Sequence, residues 1–309
     1  MKLAIVFPGQ GSQKVGMMQG FADSAVVRAT FGEASAALGQ DLWQLVENGP
    51  ADDLAATVNT QPVMLTAAYA MYRAWQEAGG PSASVMAGHS LGEYTALTAA
   101  GALRFADAVP LVRFRAQAMQ EAVPIGTGAM AVIMGLDAAT VAEVCAQAAQ
   151  GEVVEAVNFN DPGQIVIAGL KAPVERACMI AKERGAKRAL GLPVSAPFHS
   201  SLLQPAADRL REKLAGVAFA APAVPVIHNY DVATHADPAD IRDALAQQAA
   251  RPVRWVETVQ KMAADGVTHA VEVGPGKVLQ GLIKRIAPDV QALAVTDAAS
   301  LAATLEALK

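Results

Sequence analysis

Short apolar segments alternate with longer helical patterns along most of this 309-residue chain. Strands that are separated by helices pair in the same direction, and the helices then cover both faces of the sheet. The alternation therefore predicts an α/β fold on a mostly parallel sheet. The strand candidates are Lys2–Phe7, Ser84–Ala87, Val224–His228, His269–Val273 and Gln291–Val295. The helix candidates are Ala22–Leu38, Gln61–Ala78, Leu91–Ala100, Phe105–Ala122, Ser200–Leu214, Pro238–Ala249, Val253–Ala264 and Val278–Ile286.

The composition indicates a globular protein with a large core. Hydrophobic residues make up 53% of the chain and charged residues 17%, which argues against intrinsic disorder. The net charge is −5 and no basic run exceeds two residues, so we expect no binding to bulk nucleic acid. The apolar run before Pro8 is too short for a signal peptide or a membrane span.

Cys145 and Cys178 lie in helical patterns without a C-x-x-C spacing. We expect both to be reduced thiols of a cytoplasmic protein.

The pattern changes between residues 126 and 194. A strand, a helix capped by Asp137, a hairpin around Asp161-Pro162-Gly163, a second helix and a closing strand follow one another. β-α-β-β-α-β is the ferredoxin-like order. The sequence therefore predicts a small ferredoxin-like α+β domain at 126–194, inserted into a large domain formed by 1–125 and 195–309. A ligand is expected in the cleft between the two.

The segment Gly88-His89-Ser90-Leu91-Gly92 lies where an apolar run gives way to a helical pattern rich in Ala and Leu. G-x-S-x-G at such a junction is the nucleophile-elbow pattern, in which a sharp strand-to-helix turn exposes the serine hydroxyl. A serine that merely caps the helix would give the same five letters. The pattern thus makes Ser90 a candidate nucleophile in an α/β-hydrolase-like domain.

A serine nucleophile requires a base, and histidine is the usual one. His89 is a poor candidate because the elbow turns adjacent side chains apart. His199 comes directly before a helical pattern, where the chain returns from the insertion, and is the better candidate. A purely structural role at that helix start is the alternative. The histidines have no H-E-x-x-H spacing, so we expect no metal site.

The oxyanion formed during attack needs backbone donors. In an elbow, one donor is the N–H of the residue after the nucleophile, here Leu91. The second donor should come from a glycine-bearing loop after a neighbouring strand, and Gln10 lies between Gly9 and Gly11 after the first strand. That loop lacks the third glycine of a dinucleotide fingerprint, since Lys14 stands in its place.

Arg115 falls on the apolar side of its helix, between Leu111 and Met119. A guanidinium among apolar groups requires an acidic partner. That partner is either an internal acid such as Glu93 or the carboxylate of a substrate. Arg113, on the same helix, need not point towards the apolar side.

Four segments together, FPGQGSQ, GHSLGEY, RAQAMQ and VEVGPGKVL, carry a family resemblance. The chain resembles the malonyl-CoA:acyl carrier protein transacylases of type II fatty acid synthesis over essentially its full length. The resemblance implies Ser90 as nucleophile, His199 as base and the main-chain carbonyl of Gln248 as the group that orients the base. It also implies Arg115 as the malonyl carboxylate ligand. Further matching positions are Gln10 and Leu91 for the oxyanion, Asn160 facing the cleft, and Phe198, which accompanies malonyl rather than branched substrates.

The reaction implied by this resemblance is a ping-pong transfer. The malonyl group passes from malonyl-CoA to the serine and then to the phosphopantetheine thiol of acyl carrier protein, without a permanently bound cofactor. A monomer is expected. Because such carriers are acidic and this chain is net negative, a local basic surface should steer the encounter. The candidates are Lys182, Arg184, Lys187, Arg188, Lys284 and Arg285.

Three other functions compete with this interpretation. The acyltransferase subunit of a malonate decarboxylase would use the same chemistry on another carrier, and the sequence does not separate the two. An ordinary serine hydrolase would place an acid between serine and histidine in the chain, and it leaves Arg115 and the inserted domain unexplained. A catalytically silent carrier-binding module leaves Ser90, His199 and the oxyanion loops unexplained.

Overall fold

The computed structural model of the protein describes residues 1–194 and 196–309. Its larger sheet has the order β7-β2-β1-β8-β9, and every neighbouring pair is parallel. The strands are β1 (Leu3–Phe7), β2 (Val85–Gly88), β7 (Val226–Ile227), β8 (His269–Val273) and β9 (Gln291–Val295). β1 is central and buried throughout, as expected for a sheet covered on both faces. The predicted α/β fold with a parallel sheet is confirmed.

The smaller sheet is antiparallel and has the order β4-β5-β3-β6. Its strands are β3 (Gly128–Met134), β4 (Val154–Asp161), β5 (Gln164–Leu170) and β6 (Arg188–Gly191). With α7 (Ala138–Ala149) and α8 (Lys171–Glu183) in between, this is the ferredoxin-like arrangement expected from the sequence. Asp137 caps α7 by accepting the N–H of Thr140 at 2.8 Å. The division into domains at 125/126 and 194/195 stays a prediction, and Ser195 lies outside the described residues.

The remaining helices pack around the larger sheet or on one another. They are α1 (Ala25–Leu38), α2 (Leu42–Asn48), α3 (Ala51–Ala55), α4 (Thr57–Glu77), α5 (Gly92–Ala99), α6 (Phe105–Glu121), α9 (Gln204–Ala215), α10 (Pro238–Gln248), α11 (Trp255–Ala264), α12 (Val278–Ile286) and α13 (Ala298–Ala307). Short 3-10 turns lie at Gln19–Phe21 and Ser201–Leu203.

Several predicted boundaries were wrong. The sequence placed the start of a helix at Gln61, but α4 begins at Thr57 and carries Pro62 inside it. Proline is common in the first turn of a helix, so the sequence predicted a helix start next to Pro62, four residues too late. The strand predicted at Val224–His228 shortens to β7, because β7 pairs with β2 only at Met86 and Ala87.

Three short helices, α2, α3 and α13, were not predicted. They have seven, five and ten residues. α13 begins at a capping box in which Asp297 and Ser300 bond each other's backbone N–H groups. Such caps define helices that their own hydrophobic spacing does not reveal.

The two sheets are connected along β4. The N–H of Phe159 donates to the carbonyl of Val253 at 3.0 Å, and the N–H of Val253 donates to the carbonyl of Val157 at 2.8 Å. Arg285 on α12 forms an ion pair with Asp161 at 2.6 Å, with the aspartate 9% exposed. Backbone pairing and a charged contact therefore place the ferredoxin-like unit beside the larger sheet.

Candidate active site

Ser90 lies in the turn between β2 and α5, and its φ is +52°, a left-handed conformation that non-glycine residues rarely adopt. The turn requires glycine on both sides. A Cβ on Gly88 would lie 1.9 Å from the backbone of Gly92, and a Cβ on Gly92 would lie 2.1 Å from the carbonyl oxygen of Phe7. The backbone here has the strand–turn–helix geometry of a nucleophile elbow.

The Ser90 hydroxyl is within hydrogen-bond distance of the predicted base. Oγ of Ser90 lies 2.7 Å from Nε2 of His199, and Nδ1 of His199 lies 2.8 Å from the backbone carbonyl of Gln248. Because a carbonyl can only accept, Nδ1 carries the proton and Nε2 is free to accept from the serine. The three residues thus form a chain of the serine, base and orienting-group type.

The surroundings keep His199 neutral. It is 3% exposed, and it has a φ of +65°. Burial and then the positive charge of Arg115 lower the pKa of His199 to about 3. A histidine that is unprotonated near neutral pH can take the proton of the attacking hydroxyl.

Arg115 lies on α6 and is 2% exposed. Its two terminal nitrogens donate to neutral groups: Nη1 to Oε1 of Gln61 at 2.7 Å, and Nη2 to Oε1 of Gln248 at 2.8 Å and to Oγ of Ser90 at 3.2 Å. Its guanidinium also lies 5.3 Å from the centre of the Tyr94 ring. Within residues 1–194 and 196–309, no carboxylate forms an ion pair with it. A buried cation surrounded by neutral acceptors is suited to bind an anion beside the serine.

Glu93 does not pair with Arg115, contrary to the alternative raised by the sequence. Its carboxylate bonds instead to Nδ1 of His228, the backbone N–H of Asn229 and the side chain of Gln248, at 2.7, 2.9 and 2.9 Å. Glu93 therefore has three hydrogen-bond donors of its own and forms no ion pair with Arg115.

The two residues expected to stabilise the oxyanion lie on different elements. Leu91 follows the serine and precedes α5, while Gln10 lies in the loop after β1. In the described part of the chain, no acceptor takes the backbone N–H of either residue. The side chain of Gln10 accepts from Oγ1 of Thr57 at 3.1 Å. Oxyanion stabilisation needs such uncommitted N–H groups.

The other predicted residues occupy distinct places. Oδ1 of Asn160 on β4 lies 2.8 Å from Nε2 of His89, so these two side chains connect the smaller sheet to the elbow. Phe198 is 5% exposed and directly precedes His199. Among the basic candidates, Arg285 pairs with Asp161 and Arg184 with Glu143. The other basic candidates are the exposed Lys182, Lys187, Arg188 and Lys284.

Sequence reasoning missed three residues that support this site: Gln61, Asn229 and His228. Gln61 is the first residue of its predicted helix, and the other two directly follow the shortened strand β7. In the sequence, a buried polar side chain looks the same as a solvent-exposed one. Only their hydrogen bonds reveal their roles.

Three further observations concern metal ligands, membrane-spanning helices and the cysteine thiols. The described residues contain no cluster of three or more His, Cys, Asp or Glu side chains able to hold a metal ion. Every helix in that part of the chain is too short or too polar to cross a bilayer. Cys145 is buried and Cys178 half-buried, and both are free thiols.

Comparison with known proteins identifies the family. The model of the acyl transferase domain matches residues 4–302. The chain belongs to the acyltransferase family. Within it, the chain belongs with the malonyl-CoA:acyl carrier protein transacylases, as the sequence resemblance implied. It is 56% identical over 306 residues to the malonyl CoA-acyl carrier protein transacylase of Escherichia coli K12, covering 99% of each chain. It is 44% identical over 310 residues to the enzyme of that name from Bacillus subtilis, with 100% and 98% covered.

Solved structures of this family agree with the fold. An acyl-carrier-protein S-malonyltransferase from Burkholderia pseudomallei has a TM-score of 0.98 and 66% identity, covering 99% of this chain and 100% of that one. A malonyl-transacylase solved in complex with a type II polyketide acyl carrier protein has a TM-score of 0.98 and 52% identity, covering 99% and 100%.

Proposed function

We propose that this protein transfers a malonyl group from malonyl-CoA to the phosphopantetheine thiol of acyl carrier protein, through an ester on Ser90. The observation that carries the proposal is the position of Arg115. Its buried guanidinium, without an acidic partner in the described chain, lies 3.2 Å from the same hydroxyl that lies 2.7 Å from His199. A nucleophile, a base and a carboxylate ligand thus converge on one atom. An acyl group that carries its own carboxylate fits this arrangement.

The first half-reaction begins with attack of Ser90 Oγ on the thioester carbonyl carbon. The hydroxyl proton passes to Nε2 of His199, and the carbonyl oxygen becomes an oxyanion. The N–H groups of Leu91 and Gln10 stabilise this oxyanion, because they are donors fixed before the reaction. When the intermediate collapses, the carbon–sulfur bond breaks and the coenzyme A thiolate leaves with the proton from His199.

The second half-reaction reverses the roles of the thiol and the serine. The phosphopantetheine thiol of the carrier gives its proton to Nε2 of His199 and attacks the malonyl ester. Collapse of the intermediate breaks the ester bond and returns the proton to Ser90. Gln248 orients the imidazole through a neutral carbonyl, which leaves it less basic than a carboxylate would. A weak base suits the exchange of an acyl group between two thiols.

Arg115 is proposed to determine which acyl group the enzyme transfers. A malonyl carboxylate can take the two terminal nitrogens of the guanidinium, and this contact positions the thioester at the serine. Phe198, next to the base, limits the volume available to a branched substituent. Asn160 on the smaller sheet, bonded to His89, is proposed to contact the incoming thioester arm.

The carrier is proposed to bind at a surface that includes basic residues of the smaller unit. Exposed basic residues on the smaller unit, Lys182, Lys187 and Arg188, and Lys284 on α12 supply positive charge on a chain whose net charge is −5. The relatives are named for acyl carrier protein, which favours this carrier over that of a malonate decarboxylase. No cofactor is required by this chemistry. The free thiols of Cys145 and Cys178 fit the reducing environment of the cytoplasm. The protein is proposed to act as a monomer.

Intact-protein mass spectrometry after brief exposure to malonyl-CoA tests this function. Wild type should gain one malonyl group, and holo-carrier protein should discharge it. Ser90→Ala should gain none, whereas Ser82→Ala, which alters an exposed serine on the same segment, should behave as wild type. Steady release of coenzyme A without carrier, with no accumulating adduct, would indicate a hydrolase instead.

A further inference from the structure

The backbone of Ser90 is held by two buried amide side chains. Its N–H donates to Oδ1 of Asn229 at 2.7 Å, and Nδ2 of Asn229 donates back to the carbonyl of Gly88 at 2.7 Å. The carbonyl of Ser90 accepts from Nε2 of Gln248 at 2.9 Å. Since Ser90 has a φ of +52°, its conformation persists only if the surroundings impose it. Asn229 therefore bridges the Ser90 N–H and the Gly88 carbonyl and holds the turn in this conformation.

The buried carboxylate of Glu93 is hydrogen-bonded to both Asn229 and Gln248. Oε2 of Glu93 accepts from the backbone N–H of Asn229 and from Nε2 of Gln248, both at 2.9 Å, and Oε1 lies 2.7 Å from Nδ1 of His228. All four residues are 0% exposed. Because a carboxylate only accepts, it turns the NH₂ group of Gln248 towards itself and the amide oxygen towards Arg115.

We propose that Asn229 and Glu93 are positioning residues for acyl transfer at Ser90. Asn229 fixes the backbone that carries the nucleophile. Glu93 fixes Asn229 and also Gln248, whose carbonyl orients His199. Through these two residues, one buried carboxylate fixes the relative positions of the nucleophile and its base without touching the substrate. The inference deepens the proposed function and rests on it.

The test is the single-turnover rate constant for acylation of Ser90 by malonyl-CoA, measured per folded protein. In Asn229→Ala, the turn loses both bonds from the amide, and the rate constant should fall about 100-fold because small displacements of a reacting atom have large kinetic effects. The KM for malonyl-CoA should change by no more than about twofold, since the variant leaves the carboxylate ligand in place. Asn229→Asp retains the acceptor for the Ser90 N–H, loses the donor to Gly88 and should give an intermediate rate constant. If Asn229→Ala does not fold, the rate constant of Asn229→Asp is measured in its place.

Glu93 is tested by comparing two substitutions. Glu93→Ala removes every acceptor and should slow acylation strongly, whereas Glu93→Gln keeps one acceptor oxygen and should recover part of the rate. Thr258→Ala is the matched control, because Thr258 is also buried and hydrogen-bonded, to the carbonyl of Arg254 at 2.9 Å. It should alter the melting temperature and leave the rate constant unchanged.

The outcomes separate this inference from the function on which it rests. If Asn229→Ala and Glu93→Ala lower only the melting temperature, and the folded fraction is acylated at the wild-type rate, the positioning role is overturned. If wild type itself forms no malonyl ester, the proposed function fails. A lower rate constant at unchanged KM, with partial recovery in Asn229→Asp and Glu93→Gln, supports the inference.

Discussion

Nδ1 of His199 lies 2.8 Å from the carbonyl oxygen of Gln248, a residue at the last position of α10 and 49 positions further along the chain. The carbonyl fixes the tautomer without adding a negative charge. A carboxylate in its place would raise the pKa of the imidazole, whereas here burial and Arg115 lower it to about 3. The base is therefore neutral near neutral pH.

This neutrality predicts a flat pH profile. The single-turnover rate constant for acylation should be constant from about pH 5 to pH 8, because His199 remains unprotonated there. It should fall only as the pH approaches the lowered pKa. Stopped-flow measurement of coenzyme A release, with circular dichroism at each pH as a control for folding, checks the profile. An inflection near the ordinary histidine pKa would contradict the burial argument.

Arg115→Ala should lower malonyl transfer by roughly 100-fold or more while retaining acetyl transfer, since only the malonyl group carries the carboxylate that the guanidinium binds. Arg113→Ala is the matched control, because Arg113 lies on the same helix and donates to Gln40 and Asn59 instead. The ratio of kcat/KM for malonyl-CoA to that for acetyl-CoA gives the result. Equal losses for both substrates would show that Arg115 supports the fold rather than selecting the acyl group.

Gln61→Glu should raise the KM for malonyl-CoA about 10-fold, because a carboxylate 2.7 Å from Arg115 would compete with that of the substrate. Gln61→Met removes the same hydrogen bond without adding charge and should have a smaller effect. Initial-rate kinetics of both variants separate the two causes. If they raise the KM equally, the neutrality of the residue that faces Arg115 is unimportant.

Reversing Lys187 and Arg188 to glutamate should raise the KM for acyl carrier protein several-fold, as like charges on an acidic carrier slow the encounter. The effect should diminish at high salt. The internal control is acylation by malonyl-CoA in the absence of carrier, which should be unchanged. An unaltered KM for the carrier would remove these two residues from the docking surface.

Glu272 on β8 should make stability depend on pH. It is fully buried, and burial raises its pKa from 4.5 to about 7. The folded state therefore binds a proton more tightly than the unfolded state, so the stability from this group is present below about pH 4.5 and is lost as the pH rises through 7. In Glu272→Gln, the decrease in unfolding free energy between pH 5 and pH 8 should be smaller by about 1–3 kcal/mol. Urea unfolding at both pH values checks this, with exposed Glu183→Gln as the control.

The local sequence determined the elements that depend on local physics. Alternating apolar runs and helical patterns predicted the parallel sheet, because each strand is short, buried and separated from the next by a helix. The spacing of Gly88 and Gly92 predicted the elbow at Ser90, since only glycine tolerates the close backbone contacts there. His199 was singled out by its place before a helix, and the family resemblance then added Gln248.

Tertiary structure alone decided which polar groups meet. Ser90 and His199 are 109 positions apart, and Ser90 and Asn229 are 139 apart. A buried amide or carboxylate gives no periodic signal, because its free energy depends on partners that packing brings from distant segments. For this reason the sequence placed Glu93 beside Arg115 as one alternative, whereas the structure places it beneath Asn229 and Gln248. The chain encodes the nucleophile locally, and the fold supplies the groups that hold it in position.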